Sequence, residues 1–174
     1  LFTKTSNKMY STNLTETQWQ FIKRYLINAN RKRKHILREM WDALFYLVKT
    51  GCQWRMLPKE FPKWQLVYYY YSKWLEEGVF DFIMDKLRIK ARLNKNQNAE
   101  ASAGIVDSQT VRWGNNRSLK SVDGNKKTKG IKRHVVVDKN GWLLAIMVSV
   151  AHVHDSKAAE LLMRTLKDRL IGIK

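Results

Sequence analysis

Apolar residues up to about position 95 recur at helical spacing, whereas beyond position 103 they alternate or run together as strand residues do. In Leu14-Thr15-Glu16-Thr17-Gln18-Trp19, Thr15 is placed to cap a helix and Gln18 to close a capping box, with Leu14 and Trp19 set for a hydrophobic staple. Trp19, Ile22 and Leu26 continue one face of that helix. The basic run Arg31-Lys32-Arg33-Lys34 separates it from a second helix, predicted from about His35 to Lys49. Its apolar stripe is Ile36, Met40, Leu44, Leu47 and Val48, and Gly51 marks its end. A third helix is predicted from Lys63 to Glu76 and, after Gly78, a fourth from Val79 to Leu93. Trp64, Tyr68, Tyr71 and Trp74 read as the buried side of the third, which leaves Tyr69 and Tyr70 outward as candidates for DNA contact. Helix, short turn and helix, all basic, make this region helix-turn-helix-like.

The polar, asparagine-rich segment 94–102 reads as a boundary, so the predicted domains are 1–95 and 103–174. In the second, Gly104-Ile105-Val106 is a short apolar strand running into Asp107 at its C-terminal end. Residues 112–130, polar and rich in Gly, Asn and Lys, read as a mobile loop. Ile131 to Val137 and Trp142 to Val150 are β-rich runs joined by Asp138-Lys139-Asn140-Gly141, a hairpin signal. Asp155 or Ser156 is placed to cap an amphipathic helix that turns Ala158, Leu161, Leu162, Thr165 and Leu166 to the core. The predicted class is α+β.

Charge narrows the partners. The 174 residues carry 33 Lys and Arg against 15 Asp and Glu, a formal net charge of +18. Self-repulsion on that scale is tolerated where a polyanion neutralises it, nucleic acid being the commonest. No apolar run approaches the ~20 residues that span a bilayer, and residues 1–11 lack the apolar centre of a signal peptide. With a single cysteine, Cys52, no intramolecular disulfide forms. The expectation is a cytoplasmic, nucleoid-associated protein with no membrane partner.

Asp107 is the residue with candidate chemistry. An acid at a strand end holds Mg²⁺ against phosphate oxygens in metal-assisted phosphoryl transfer, although Asp followed by Ser is also a common turn former. From Arg117 to Arg133 there are seven basic residues and one acid, Asp123. Basic charge interleaved with glycine suits a loop that tracks a phosphate backbone, the alternative being a solvated tract. The candidate DNA-binding residues are Arg31, Lys32, Arg33, Lys34, Arg38, Arg55, Lys63, Lys126, Lys127, Lys129, Lys132 and Arg133. His152, His154 and Asp155 lack further ligands at the spacing of a zinc site. His134 heads a strand as a structural or phosphate-facing residue.

Several motifs resemble those of bacterial insertion-sequence transposases of the four/five superfamily. They are Leu14-Thr15-Glu16-Thr17-Gln18-Trp19, Thr50-Gly51-Cys52-Gln53-Trp54-Arg55-Met56-Leu57-Pro58 and Trp64-Gln65-Leu66-Val67-Tyr68-Tyr69-Tyr70 in the first region. In the second, Ile105-Val106-Asp107-Ser108-Gln109-Thr110-Val111 resembles the strand bearing that family's first catalytic acid. Two more matches are the run Lys129 to Asp138 and Val153-His154-Asp155-Ser156. The resemblance implies an RNase H-like catalytic domain of the DDE type, Asp107 as catalytic and metal-binding residue, and Mg²⁺ or Mn²⁺ as cofactor. It also implies double-stranded DNA at the transposon's terminal inverted repeats as substrate, and raises the expectation of a homo-oligomer. The family's second Asp and later Glu would lie beyond Lys174. The RNase H-like domain is therefore expected to be incomplete and the chain inactive by itself, as a pseudogene product, one half of a two-frame enzyme or a portion of a longer one. Asp155 is left unassigned, because helix capping accounts for it. A DNA-binding regulator of transposition is the alternative function. An RNA-binding protein is less compatible, because these strands carry aliphatic rather than aromatic residues.

Overall fold

The computed structural model describes residues 10–26, 36–112, 121–124 and 127–169. The protein is α+β and divides into two compact units, Leu1–Met84 and Asp85–Lys174.

The first unit contains α1 (Glu16–Lys23), α2 (Leu37–Thr50), a 3-10 turn (Trp54–Met56), α3 (Trp64–Glu76) and the start of α4 (Val79–Asn94). The capping box forms as its spacing predicts: the Gln18 N–H donates to the Thr15 hydroxyl at 3.3 Å, and the Thr15 N–H donates to Gln18 Oε1 at 2.9 Å. The Leu14 N–H donates to the buried carboxylate of Asp42 at 2.7 Å, which ties the entry of α1 to α2. Gly51 ends α2 in the left-handed conformation (φ 66°), a geometry that favours glycine.

The stripe of α2 is rotated from the predicted one. Leu37, Met40, Trp41 and Leu44 are buried, whereas Ile36 and Val48 are exposed. The helix starts at Leu37, so Ile36 is its extended cap residue and Val48 falls on the far side of the packed face. In α3 the buried face runs through Val67 and Trp74, with Tyr70 and Tyr71 against it, and Trp74 stacks on Trp41 with ring centroids 5.1 Å apart. Tyr68, expected inside, is exposed, and Tyr70, expected outside, joins the core. The 3.6-residue period from Val67 selects Tyr70 and Tyr71 and turns Tyr68 away.

The second unit holds the rest of α4, then β1 (Ile105–Arg112), β2 (Val122–Asp123), β3 (Thr128–Val137), β4 (Leu143–Val150) and α5 (Asp155–Arg169). Pairing is antiparallel throughout: β3 lies between β1 and β4, and β2 pairs with the start of β3. The hairpin forms where Asn-Gly predicts it, with the Gly141 N–H donating to the Asp138 carbonyl at 2.9 Å. Ala158, Leu162 and Leu166 of α5 are buried on the side of the sheet that carries Val136 and Ala145. Leu161 is exposed and so is Thr165, both expected inward, because the 3.6-residue spacing of Ala158, Leu162 and Leu166 leaves them on the solvent side.

Two boundaries differ from expectation. Both β1 and β3 are longer than their apolar runs, because the polar residues Ser108 to Arg112 pair with Gly130 to His134. Gly130 permits this close pairing: a Cβ there would lie 2.0 Å from the Val111 carbonyl oxygen. The compact units divide inside α4, and Arg92 near the end of that helix is bound to Asp138 beside the hairpin.

Candidate active site

Strand β1 makes its ladder with β3 alone among the described residues, and it is largely exposed. Asp107 is its third residue, not its last, and lies on an accessible strand, not a buried one. The polar half of the motif extends the strand past the acid. The Ser108 N–H donates to Asp107 Oδ1 at 2.8 Å.

The ladder register fixes what surrounds the acid. Asp107 and Gln109 pair with Val135 and Arg133, while Ser108 and Thr110 pair with His134 and Lys132. Successive strand residues point to opposite faces, so Ser108, Lys132 and His134 share the face covered by α5. An open pocket of about 380 Å³ is lined by Asp107, Ser108, His134, Asp155 and Ser156, together with Val106 and Ala159.

Asp155 does not cap α5. It is the first residue of the helix, and the preceding His154 takes the cap position, its Nδ1 accepting the Ser156 N–H at 3.3 Å. The Asp155 carboxylate instead meets the Lys132 ammonium at 3.2 Å and accepts a hydrogen bond from Ser108. Burial pushes its pKa up, but Lys132 and Ser108 outweigh that and hold it below the ordinary carboxylate value. The Lys132 side chain is only 6% exposed, and its ammonium also donates to the Val153 carbonyl at 3.1 Å. His134 is 1% exposed, and its Nε2 lies 2.8 Å from the Ser149 hydroxyl. Burial lowers the His134 pKa below 6.5, with Lys132 adding to the effect and Asp155 opposing it, so the ring is neutral near pH 7.

The basic candidates divide by environment. Arg31, Lys32, Arg33, Lys34 and Lys126 lie outside the described residues. Arg38 is committed to α1, donating to Glu16 Oε2 at 2.6 Å and to the Leu14 carbonyl. Arg55 is exposed, its guanidinium 5.7 Å from the Trp64 ring centroid, and Lys63 is exposed just before α3. In the second unit Lys127, Lys129 and Arg133 are exposed, whereas Lys132 is the inward cation already described.

The sequence singled out Asp107 but not Ser108, His134 or Asp155 as its neighbours. The hairpin register brings His134 opposite Ser108, a relationship available only once the ladder is known. Residues 14–84 match the family model for transposases of the IS4/5 family, and residues 98–174 match the model for the transposase DDE domain. No curated protein and no solved structure gives a match.

Proposed function

The chain belongs to the IS4/5-family transposases with a DDE domain, and on that premise we propose that it binds insertion-sequence ends and contributes Asp107 to metal-dependent phosphoryl transfer on DNA. The observation that carries this is the exposed acid Asp107, among the residues lining a pocket with Ser108, His134 and Asp155, in a chain of formal charge +18.

Antiparallel β1, β3 and β4 with α5 on one face support an RNase H-like catalytic unit. The α2–turn–α3 arrangement supports a helix-turn-helix-like DNA-binding unit. The donor set fits the metal: carboxylate oxygens are hard ligands, and Mg²⁺ keeps several waters and takes one or two protein carboxylates. Among the described residues no three or more His, Cys, Asp or Glu gather to hold an ion, so Asp107 would act with water, substrate oxygens and further carboxylates. A divalent ion held by Asp107 would supply charge for activating the attacking hydroxyl and for steadying the leaving oxygen. Arg133 is exposed on the face that carries Asp107 and, with Lys129, is suited to phosphate contact near the acid. No described helix is long and apolar enough to cross a membrane.

The test is binding of this chain to duplex bearing an insertion-sequence terminal repeat, in competition with a scrambled duplex of the same length. Preference for the repeat is expected. Equal affinity for the two would overturn end recognition.

A further inference from the structure

Val67, Tyr70, Tyr71 and Trp74 form the inward side of α3. Residues 65, 69, 72 and 76 fall opposite them at helical spacing, and there Gln65 is exposed and Tyr69 is 57% exposed. The 3-10 turn lies against the start of this helix. The Arg55 guanidinium is 5.7 Å from the Trp64 ring centroid, and the Trp54 and Tyr68 rings meet edge to face at 5.1 Å. Arg55 and Lys63, both exposed, thus flank the first turn of α3. We propose that the first two turns of α3 enter the major groove of duplex DNA, with Arg55 and Lys63 on backbone phosphates and Gln65 reading an adenine; this rests on the proposed recognition of insertion-sequence ends.

Charge is distributed unevenly along the helix. Arg55, Lys59 and Lys63 are exposed before its first turn, and the one acid among residues 51–63, Glu60, accepts the Tyr10 hydroxyl. The acids at the other end are Glu76, the last residue of α3, and Glu77, which lies 3.8 Å from the Lys73 ammonium. A phosphate backbone is therefore attracted to the beginning of α3 and repelled at its end, which turns the first two turns toward DNA. Residues at the start of such a helix are the ones that reach base edges. Gln65 stands there, and no hydrogen bond to a described residue occupies its amide. That amide offers a donor and an acceptor side by side, the complement of the N7 acceptor and N6 donor that adenine presents in the major groove. Tyr69, one turn further along, adds a hydroxyl suited to phosphate. Exposed cations alone would also suit an acidic protein, but the free amide between them favours base edges.

The experiment is a gel-shift series over several salt concentrations with the full chain, on a terminal-repeat duplex and on a scrambled duplex of the same length. It compares the unmodified protein with Gln65→Ala and with the double variant Arg55→Ala/Lys63→Ala. The double variant is expected to bind both duplexes more weakly and to lower the salt slope by about 2. Gln65→Ala is expected to keep the slope and to lose about fivefold or more of the preference for the repeat. A third duplex carries 7-deazaadenine in place of the adenines of the repeat, which removes the N7 acceptor. It is expected to weaken the unmodified protein and to penalise Gln65→Ala less, an outcome that a merely structural role for Gln65 would not produce. The deazaadenine comparison on the unmodified protein needs no variant, and absence of any effect there overturns the proposal. So does an equal penalty in the two proteins, or a Gln65→Ala protein with its preference intact. An unchanged slope in the double variant also overturns it, and would assign these cations to an acidic protein partner instead. Equal affinity of the unmodified chain for repeat and scrambled duplex would remove the premise of end recognition itself.

Discussion

Arg92, near the end of α4, and Asp138, just past the end of β3, form an ion pair with side chains 6% and 1% exposed. Arg92 also donates to the carbonyls of Asn98 and Glu100, and Asp138 accepts the N–H groups of Asn140 and Trp142. One pair of charges thus ties together the end of α4, the segment after it and the β3–β4 hairpin. Removing one partner strands the other in the interior, so Asp138→Ala is expected to destabilise the protein by roughly 3 kcal/mol or more. Urea unfolding measures this, and a loss below about 1 kcal/mol, the scale of an exposed pair, would mean that the pair is not closed.

The same carboxylate gives a pH dependence. Burial pushes the Asp138 pKa up, but hydrogen bonds from Trp142, Asn140 and Arg92 bring it below its ordinary 3.8. A depressed carboxylate contributes stability that is present above the unfolded value and lost as pH falls through the folded one. His134 acts at higher pH. Its folded pKa lies below 6.5, so the unfolded chain takes up the proton first and stability is lost as pH falls below about 6.5. His134→Gln is expected to flatten the stability profile between roughly pH 5 and 7 and to leave the fall near pH 3 to 4 in place. An unchanged profile from pH 5 to 7 would show that His134 is not held neutral by its surroundings.

Gly130 supplies a steric prediction. A Cβ on it would meet backbone atoms of Val111 at 2.0 and 2.9 Å, and backbone cannot swing aside as a side chain can. Gly130→Ala is expected to separate β1 from β3 and cost about 1–3 kcal/mol. Gly124→Ala faces open space and is expected to stay within roughly 0.5 kcal/mol of the parent. Thermal unfolding of the two variants side by side makes the comparison. Equal stabilities would contradict the β1–β3 register that places Asp107.

Where local chemistry decides the structure, the sequence is readable. The Thr15–Gln18 capping box, the ends at Gly51 and Gly78 and the Asn140-Gly141 turn each depend on residues a few positions apart. The misread positions are those decided by distant partners. The polar stretch from Ser108 to Arg112 has no apolar alternation, and only its ladder with β3 makes it a strand. Tyr68 and Tyr70 exchanged places because composition marks an aromatic helix, whereas the phase of its buried face depends on Trp41 and the rest of the core. Asp155 looked like a cap because Asp before a helix usually is one. Its partner Lys132 is remote in sequence, and the cap position belongs to His154. The motif singles out Asp107 as a candidate, but the residues around it are legible only from the β1–β3 register.

DNA affinity is expected to depend steeply on salt. Each phosphate neutralised by Lys or Arg releases counterions, giving a slope of about −0.9 in log K against log salt per contact. Replacing exposed Lys129 and Arg133 together by Ala is expected to reduce the slope by about 2. Replacing Arg38, which is bound to Glu16 and the Leu14 carbonyl, should change stability more than the slope. Filter binding over a salt series reads all three proteins. A flat response in the unmodified chain would refute a phosphate-backbone interface.

The most discriminating prediction separates binding from metal chemistry at Asp107. Asparagine keeps the shape of the side chain and one carbonyl oxygen but carries no negative charge, and Mg²⁺ gives up water reluctantly to a neutral ligand. Asp107→Asn is therefore expected to abolish Mn²⁺ binding at β1. Its acceptor for the Ser108 N–H survives as the amide oxygen, so the local conformation of β1 should persist. DNA affinity should stay within about threefold of the parent, because binding rests on many cationic contacts and loss of one negative charge works slightly in its favour. The measurements are a Mn²⁺ titration followed at the Ser108 amide and a gel-shift series on repeat-bearing duplex, both run on the same protein preparation. Loss of DNA binding in parallel with Mn²⁺ binding would mean that Asp107 holds the DNA-binding surface together rather than serving as a metal ligand. Full Mn²⁺ binding by the variant would remove Asp107 from the metal site altogether.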